Sequence, residues 1–406
     1  MSRFYDAAET RSADERLAAL AVALPDQISR AQDLPGFVVP LGGVEAATIT
    51  SVEDLAALPV LRKTTLVGAQ TPDAPLGGFA AKPVSGFSHV FQSPGPIYEP
   101  GGIDGDWFRL GRFLHAAGVG RGDLVQNCFG YHLTPAGIMF ESAARAVGAT
   151  VLPAGTGQTE LQVRAAAHLG STAYAGTPDY LKVILEKADE MDVVLGITKA
   201  VVSGGALFPS LRQGYADRGI TCLQAYATAD LGNIAYESEA MEGMIVEEGV
   251  VVEIVRPGTG DPVPEGEVGE VVVTSLNPDY PLIRFATGDM SAVMTGQSPC
   301  GRTNQRIKGW MGRADQTTKI KGMFVRPEQV AELVAAHPEV TRARVIAGRA
   351  GDMDTLSVKF ESPGGDAYAY AATISSVLKL KGTVEVVNPG SLPNDGLVIE
   401  DTRSYD

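Results

Sequence analysis

Two short segments combine residue types that could hold a nucleotide. Ser203-Gly204-Gly205 follow an apolar run, and paired glycines after a buried strand let a flat ligand lie against bare backbone. An ordinary strand-to-helix turn would use the same residues. Tyr226 and Asp230 end the next apolar run, where an aromatic ring could stack on a base and a carboxylate could bind Mg²⁺. The alternative there is a packed tyrosine with a helix-capping aspartate.

Two later segments add a carboxylate and a group of charged side chains. Asp289 ends a Thr-Gly-Asp step after an apolar run and could accept hydrogen bonds from both hydroxyls of a ribose, although such a step is also an ordinary turn. Residues 312–330 could bind phosphates, or they form the solvated face that a basic run usually marks. The charged side chains of this segment are Arg313, Asp315, Lys319 and Lys321.

The elements that must position these residues follow from the hydrophobic pattern. Helical and strand-like segments alternate from about residue 106, which predicts a mostly parallel sheet with helices on both faces. Ligands of such sheets lie at the carboxyl ends of the strands. Residues 245–300 lack a helical period and predict β-hairpins. The last 90 or so residues predict a small α+β unit with the order helix, strand, strand, helix, strand.

Composition excludes several classes of protein. The 406 residues carry a net charge of −15, whereas a nucleic-acid binder needs clustered lysine and arginine. A hydrophobic content of 45% and a charged content of 20% indicate a folded globular protein. Three widely spaced cysteines argue against a disulfide framework and favour a reducing cytoplasm. The polar first residues and the short apolar runs predict neither a signal peptide nor a membrane span.

The order and spacing of these segments resemble the AMP-forming acyl/aryl-CoA ligases of the adenylate-forming superfamily, and the phenylacetate–CoA ligase branch in particular. In that resemblance Ser203, Gly204, Gly205 and Ala206 match the glycine-rich adenine-site turn. The stretch from Tyr226 through Ala227 and Thr228 to Asp230 matches a Tyr-Gly-Leu-Ser-Glu-type motif, with aspartate replacing the Mg²⁺-associated glutamate. Asp289 matches the ribose-binding aspartate, and Arg313 and Asp315 match a Gly-Arg-x-Asp motif.

The resemblance implies an α/β fold with a β subdomain and two domains. A large adenylate-binding domain would span residues 1–312, with its β-rich part at about 245–300. A small mobile α+β domain would span 316–406. The hinge would lie near 313–315, with Asp315 as its pivot, and Lys321 would join Arg313 in binding the nucleotide. The implied substrates are ATP, coenzyme A and a small carboxylic acid, with Mg²⁺ as the metal at Asp230.

The acid itself is the least determined part of the resemblance. Six residues that match the family's acyl-pocket region are expected to surround the acid: Phe129, Tyr131, His132, Ala154, Gly155 and Thr156. The aromatic members favour an aryl or arylacetic acid, while small aliphatic and hydroxy acids stay open. For His132, a packed or capping role is the alternative.

Two departures from the family pattern concern lysines. The family's phosphate loop carries a lysine, but residues 91–99 contain none, and their prolines remove backbone N–H donors. A second family lysine, which reaches the α-phosphate and the carboxylate during adenylation, is matched here by Leu397. Loss of a charged donor aimed at transition-state charge costs a factor of about 10²–10³ in rate. We therefore expect impaired adenylation, whether Leu397 is natural or was introduced to trap an adenylate.

Two alternatives stay open on the sequence. The acyl group could pass from the adenylate to an amine or a carrier protein instead of coenzyme A. Alternatively, the chain could be a non-catalytic protein that binds the nucleotide or the acyl group, which the two missing lysines favour. The resemblance also implies a homodimer as one assembly, and neither nucleic acid nor membrane is an expected partner.

Overall fold

The structure is a computed structural model that describes residues 2–93, 97–103, 105–314, 316–320, 323–350 and 353–403. The chain divides into two compact units. Unit 1 comprises Met1–Val252, Val273–Phe285 and Met294–Gly309, and unit 2 comprises Glu253–Val272, Ala286–Val293 and Trp310–Asp406. The predicted domain boundaries at 312 and 316 stay a prediction.

The helices of the described residues are short apart from the first. They are α1 (Ala13–Gln32), α2 (Val38–Leu41), α3 (Val52–Leu55), α4 (Lys63–Ala69), α5 (Gly111–Ala116), α6 (Ala136–Ala146), α7 (Thr159–Leu169), α8 (Pro178–Glu190), α9 (Pro209–Ala216), α10 (Pro327–Ala335) and α11 (Ala367–Leu378). Turns of 3₁₀ helix occur at Ala7–Thr10, Pro35–Phe37, Ala46–Thr48 and Val84–Gly86. Among all these helices, none is both long and apolar enough to cross a bilayer.

The strands carry many of the buried apolar residues. In unit 1 and at the boundary they are β1 (Leu61–Arg62), β2 (His89–Ser93), β3 (Ile97–Gly101), β4 (Leu124–Asn127), β5 (Thr150–Pro153), β6 (Ala173–Gly176), β7 (Lys199–Val202), β8 (Thr221–Thr228), β9 (Gly232–Tyr236), β10 (Met244–Val246), β11 (Val250–Val255), β12 (Gly269–Ser275), β13 (Phe285–Ser291), β14 (Val293–Met294) and β15 (Arg306–Ile307). Towards the C-terminus follow β16 (Thr318–Ile320), β17 (Met323–Val325), β18 (Arg342–Ala350), β19 (Met353–Glu361), β20 (Thr383–Val387) and β21 (Ile399–Asp401).

The predicted parallel sheet is present. A nine-stranded sheet has the order β14-β15-β10-β9-β8-β7-β6-β4-β5, in which β5, β4, β6, β7 and β8 are parallel. All four residues of β6 are buried, as expected for a strand covered on both faces. Local signals set the helices between these strands: Pro178 occupies the first turn of α8, and Gly170 ends α7 in the left-handed conformation.

The β-rich segment consists of strands, as predicted, and the consecutive strands β11, β12 and β13 are neighbours in one sheet, but β10 does not pair with β11. Strand β10 pairs antiparallel with β9 and β15 in the nine-stranded sheet, whereas β11 belongs to a four-stranded sheet of order β1-β13-β12-β11. Strands β10 and β11 are adjacent in sequence but enter different sheets, so they do not form a hairpin. The sequence pattern shows that both segments are strands, but it does not show which strand each one pairs with.

Unit 2 ends in the predicted small α+β arrangement. Strands β18 and β19 form a long antiparallel hairpin within a sheet of order β20-β19-β18-β21, and α10 and α11 supply residues to the same apolar core. The hairpin of β16 and β17 and the short strand β21 were not predicted from the sequence. The α/β class with a smaller α+β part is confirmed.

Candidate functional site

The glycine-rich turn lies at the carboxyl end of β7. Ser203 is buried, and its hydroxyl donates to the carbonyl oxygen of Ala225 on the neighbouring parallel strand β8, at 2.9 Å. Gly204 has a φ of +70°, a left-handed conformation that favours glycine, and Gly204, Gly205 and Ala206 are exposed. The turn therefore presents open backbone at the edge where parallel sheets bind ligands.

The end of β8 holds the second predicted segment. Tyr226 is buried, and the register with β9 shifts between Tyr226 and Ala227. The hydroxyl oxygen of Thr228 accepts a hydrogen bond from the N–H of Leu231 at 3.2 Å, which closes the turn into β9. Asp230 lies in that turn and strand β9 follows it, so the helix-capping alternative for Asp230 is wrong.

Asp230 belongs to a buried polar cluster in unit 1 that we call the Asp230 cluster. Its Oδ2 lies 3.0 Å from the Nζ of Lys63, the first residue of α4. Glu99 on β3 is fully buried and accepts a hydrogen bond from the hydroxyl of Ser93 at 3.1 Å. Tyr280 completes the cluster. The carboxyl groups of Glu99 and Asp230 hydrogen-bond to each other. Among the described residues, no further partner bonds to Oδ1 of Asp230, Oε1 of Glu99 or the hydroxyl of Tyr280.

The electrostatics of the Asp230 cluster follow from burial. Burial, followed by the neighbouring charge of Asp230, raises the pKa of Glu99 to about 8. Burial also raises the pKa of the Tyr280 hydroxyl, with smaller contributions from Asp230 and Glu99. Glu99 therefore retains its proton near neutral pH, while Lys63 compensates the charge of Asp230.

The donor set of this cluster fits a hard divalent cation. These three atoms are all oxygens, which Mg²⁺ prefers, and two of them belong to carboxyl groups. Across the part of the chain that the structure describes, no group of three or more His, Cys, Asp or Glu side chains could hold a metal ion. The cluster therefore suits a cation held by one or two protein carboxylates together with phosphate oxygens.

The predicted acyl-pocket residues follow β4 and β5. The two strands are parallel neighbours, so Phe129 and Ala154 follow strand ends at the same edge of the sheet. Phe129 stacks on Phe140 of α6 with ring centroids 4.4 Å apart. Tyr131 accepts a hydrogen bond from the side-chain amide of Asn127 at 2.8 Å, and burial raises the pKa of its phenol.

The loop after β5 is held by a side chain that sequence reasoning missed. The amide of Gln162 on α7 donates to the carbonyl oxygens of Gly155 at 3.0 Å and Gly157 at 2.7 Å. Thr156 and His132 are exposed. The buried part of this region is thus aromatic, and its rim is polar.

Unit 2 carries the third predicted carboxylate. Asp289 lies inside strand β13, so the turn alternative for the Thr-Gly-Asp step is wrong. Its Oδ1 accepts hydrogen bonds from Arg313 at 2.9 Å and from the indole N–H of Trp310 at 3.1 Å. Gly288 has a φ of +73°, and a Cβ there would lie 2.8 Å from the Arg313 guanidinium. Glycine therefore lets Arg313 approach the strand.

Leu397 also lies in unit 2 and is surrounded by apolar side chains. It is half-buried against an apolar group made of Val268, Met290, Ala292 and Ala314. The carbonyl oxygen of the preceding Gly396 accepts a hydrogen bond from the side-chain amide of Gln316 at 2.9 Å, and the Gln316 side-chain oxygen accepts from the N–H of Ile399 at 2.9 Å. The Gln316 side chain therefore fixes the backbone on both sides of Leu397.

Some predicted residues cannot be placed. Asp315 and Lys321 lie outside the described residues, as does the centre of the lysine-free loop at 94–96. Conversely, Lys63, Glu99 and Tyr280 were not predicted as site residues. Each lies 50 or more residues from Asp230 in sequence, and no local motif marks them.

Curated relatives share most of the chain. No protein-family model matches. A protein of Thermus thermophilus named phenylacetate-coenzyme A ligase is 30% identical over 336 residues, which cover 79% of this chain and 74% of the relative. A protein of Escherichia coli with the same name is 26% identical, over 96% of this chain and 94% of the relative.

Solved structures agree with the fold. A crystal structure of 2-hydroxyisobutyryl-CoA ligase in the postadenylation state has a TM-score of 0.73 and 24% identity, covering 99% of this chain and 93% of that chain. An open conformation of a protein with this name has the same TM-score and identity, with 97% and 92% covered. At this identity the likeness supports the fold alone.

Proposed function

Because the chain belongs to the phenylacetate–CoA ligase family, we propose that it is an AMP-forming carboxylate–CoA ligase. Such an acid–thiol ligase activates a carboxylic acid as acyl-AMP and passes the acyl group to coenzyme A. The observation that carries the proposal is the pairing of the two nucleotide segments on neighbouring strands. The Ser203 hydroxyl bonds to Ala225, the residue before Tyr226, so the open turn and the tyrosine share one sheet edge.

The reaction has two steps. In the first, a carboxylate oxygen of the acid bonds to the α-phosphorus of ATP while the bond from that phosphorus to pyrophosphate breaks. In the second, the thiol sulfur of coenzyme A bonds to the acyl carbon, the bond from that carbon to AMP breaks, and the thiol proton is released. The protein contributes mainly position and charge to such a phosphoryl transfer.

Each predicted residue has a proposed task. The backbone of Gly204, Gly205 and Ala206 would contact the adenine, with Tyr226 as a stacking surface. Ala227 and Thr228 would line the same strand end. Asp289 would accept hydrogen bonds from the ribose hydroxyls, and Arg313 would bind phosphate. Asp230 would hold Mg²⁺, which supplies charge neutralisation on the phosphates.

The change between the two steps is proposed to occur at the hinge. Asp315 would act as the pivot and Lys321 as a further phosphate-binding residue. Fixing the backbone at residue 315 near a φ of about −65° with Asp315→Pro should slow thioester formation more than adenylate formation. Equal loss in the two half-reactions would refute Asp315 as the pivot.

We propose an aromatic or arylacetic acid as the substrate. The support is the stacked pair of buried rings, Phe129 and Phe140, together with the half-buried ring of Tyr131. Thermal shifts with a panel of acids in the presence of ATP test this. Stabilisation by aryl acids is expected, and stabilisation by short aliphatic acids alone would reject it.

We also propose that adenylation is slow in this chain. A leucine at 397 donates no hydrogen bond and carries no charge, and its apolar neighbours suit it. Leu397→Lys should raise the rate of pyrophosphate release by a factor of about 10²–10³ if the remaining machinery is intact. An unchanged rate across all acids would favour the alternative of a non-catalytic nucleotide- or acyl-binding protein.

The acceptor is tested separately. Supplying a preformed acyl adenylate bypasses Leu397 and compares coenzyme A with amines and carrier proteins directly. Preference for coenzyme A is expected from the family. The cytoplasmic location and the homodimer stay predictions.

A further inference from the structure

Lys63 brings a positive charge to Asp230 from a distant part of the chain. The two residues are 167 positions apart in sequence, yet their charged atoms lie 3.0 Å apart. The position of Lys63 is well fixed, because the preceding strand β1 is anchored by the N–H of Leu61, which donates to the carbonyl oxygen of Arg284 at 2.9 Å. The ion pair is therefore built into unit 1 and does not depend on a loose surface chain.

The two partners differ in exposure. The Asp230 side chain is 2% exposed, whereas the Lys63 side chain is 42% exposed. The carboxylate is thus buried and the ammonium group extends towards solvent. A lysine on a flexible four-carbon stem can change partners without moving its backbone.

The cluster offers more acceptor oxygens than Lys63 uses. The carboxyl groups of Asp230 and Glu99 hydrogen-bond to each other, and among the described residues no further group bonds to Oδ1 of Asp230, Oε1 of Glu99 or the hydroxyl of Tyr280. Buried polar atoms are nearly always hydrogen-bonded, so the unpartnered hydroxyl of the buried Tyr280 indicates a missing ligand in this cluster. Two carboxyl groups facing a single lysine leave this cluster suited to a second cation.

Two segments that carry a lysine in the family carry none here. Residues 91–99 contain neither lysine nor arginine, and position 397 is a leucine. An ammonium group at the mouth of a carboxylate cluster supplies the point charge that phosphates bind.

We infer that Lys63 is a phosphate-binding residue that neutralises Asp230 until Mg²⁺ and the nucleotide arrive, and then bonds to the polyphosphate. This inference rests on the proposed function, because it takes the nucleotide site to lie at Asp230. It predicts opposite effects on two ligands. Lys63 competes with free Mg²⁺ for the Asp230 carboxylate, but it assists the binding of Mg·ATP.

Isothermal titration calorimetry of Lys63→Met tests the inference with two probes, MgCl₂ alone and ATP with saturating MgCl₂. We expect Mg²⁺ alone to bind at least about threefold more tightly, because a competing cation is removed. We expect Mg·ATP to bind about tenfold more weakly, because a charged hydrogen bond to phosphate is lost. Lys63→Arg should keep the affinity for Mg·ATP within about threefold of wild type, since its charge is retained.

Lys199→Met is the matched control. The Nζ of Lys199 lies 2.9 Å from Oδ2 of the buried Asp123, and the Lys199 side chain is 30% exposed, but Lys199 is at the amino end of β7. Its replacement removes a similar ion pair and should change neither affinity. Lys63→Gln, which keeps a hydrogen-bond donor for Asp230, should show the same opposite effects and replaces Lys63→Met if that variant does not fold.

The other outcomes overturn the inference. If Lys63→Met and Lys63→Gln bind Mg·ATP as tightly as wild type, Lys63 does not bind phosphate. If both affinities fall together with the melting temperature, the ion pair is only structural. If wild-type protein binds no Mg·ATP, the proposed function fails as well, and that result is recognised without any variant.

Discussion

Asp230 lies in the turn after strand β8, and Asp289 lies within strand β13. Both carboxylates are buried beside a basic residue, yet their surroundings differ. Asp289 in unit 2 receives Arg313 and Trp310 on one oxygen, and both donors come from the residues just before the C-terminal part. Asp230 in unit 1 has one lysine on one oxygen, and its other hydrogen-bond partner is a second buried carboxyl, that of Glu99.

The different surroundings of the two aspartates suit them to different ligands. An oriented carboxylate with an ample supply of hydrogen-bond donors is suited to neutral hydroxyl groups, which add further hydrogen bonds at modest cost. A carboxylate in an under-partnered acidic cluster is suited to a cation, because a cation satisfies several oxygens at once. The two aspartates are therefore proposed to bind different parts of the nucleotide, the ribose at Asp289 and the metal at Asp230.

The largest expected effect comes from Asp230→Asn. Removing the charge should lower the rate of pyrophosphate release by a factor of about 10²–10³, because charge neutralisation on the phosphates is lost. The rate is best measured in the Leu397→Lys background, where adenylation is expected to be faster. Retention of more than a third of that rate would contradict the metal-binding role of Asp230.

Asp289→Ala should have a smaller effect. Loss of the two ribose hydrogen bonds to a charged acceptor is expected to weaken AMP binding by a factor of about 10–100. The affinity for Mg²⁺ alone should stay unchanged, in contrast to Asp230→Asn. Equal losses of Mg²⁺ affinity in both variants would remove the distinction between the two aspartates.

The sheet and part of the candidate site could be predicted from the sequence, because the signals that mark them come from residues close together in the chain. The alternation of helices and strands predicted the parallel sheet, and the strand ends predicted Ser203, Tyr226 and Asp230, because these signals depend on neighbouring residues. Lys63 and Glu99 reach Asp230 from 167 and 131 positions away, and no local period encodes such a contact. The pairing of β10 with β9 and β15, instead of with β11, is a long-range choice of the same kind.

A third prediction concerns the stability of the Asp230 cluster. The pKa of Glu99 is about 8 in the folded protein and 4.5 as an ordinary glutamate, so the folded state holds the proton more tightly. Its contribution to stability is full below pH 4.5 and is lost as the pH rises to 8. Glu99→Gln avoids this loss and should be more stable than wild type by roughly 2 kcal/mol at a pH above 8.

Urea unfolding of wild type and Glu99→Gln at acidic, neutral and alkaline pH checks this prediction. The difference in the free energy of unfolding should be near zero at the acidic end and grow with pH. A constant difference at all three values would show that Glu99 does not titrate in this range.

The smallest effect is expected at Trp310. Trp310→Phe removes a neutral N–H donor from Asp289 but leaves the charged bond from Arg313, which is the stronger of the two. AMP affinity should change by less than about threefold, whereas Arg313→Met should weaken it by more than about tenfold. Calorimetry measures the AMP affinity of both variants, and fluorescence titration with AMP gives a second measurement for Arg313→Met. A larger loss of AMP affinity in Trp310→Phe than in Arg313→Met would show that the indole orients Asp289.

The central claim, that an acid is activated as acyl-AMP, is tested most directly with an acid labelled with ¹⁸O in its carboxylate. Phenylacetate is the first acid to use, with ATP, Mg²⁺ and coenzyme A, on wild type and on Leu397→Lys. Attack of the carboxylate on the α-phosphorus leaves one labelled oxygen on AMP after thioester formation, and mass spectrometry should find it there. Label in inorganic phosphate with formation of ADP, or unlabelled AMP alongside acyl-CoA, would contradict the account.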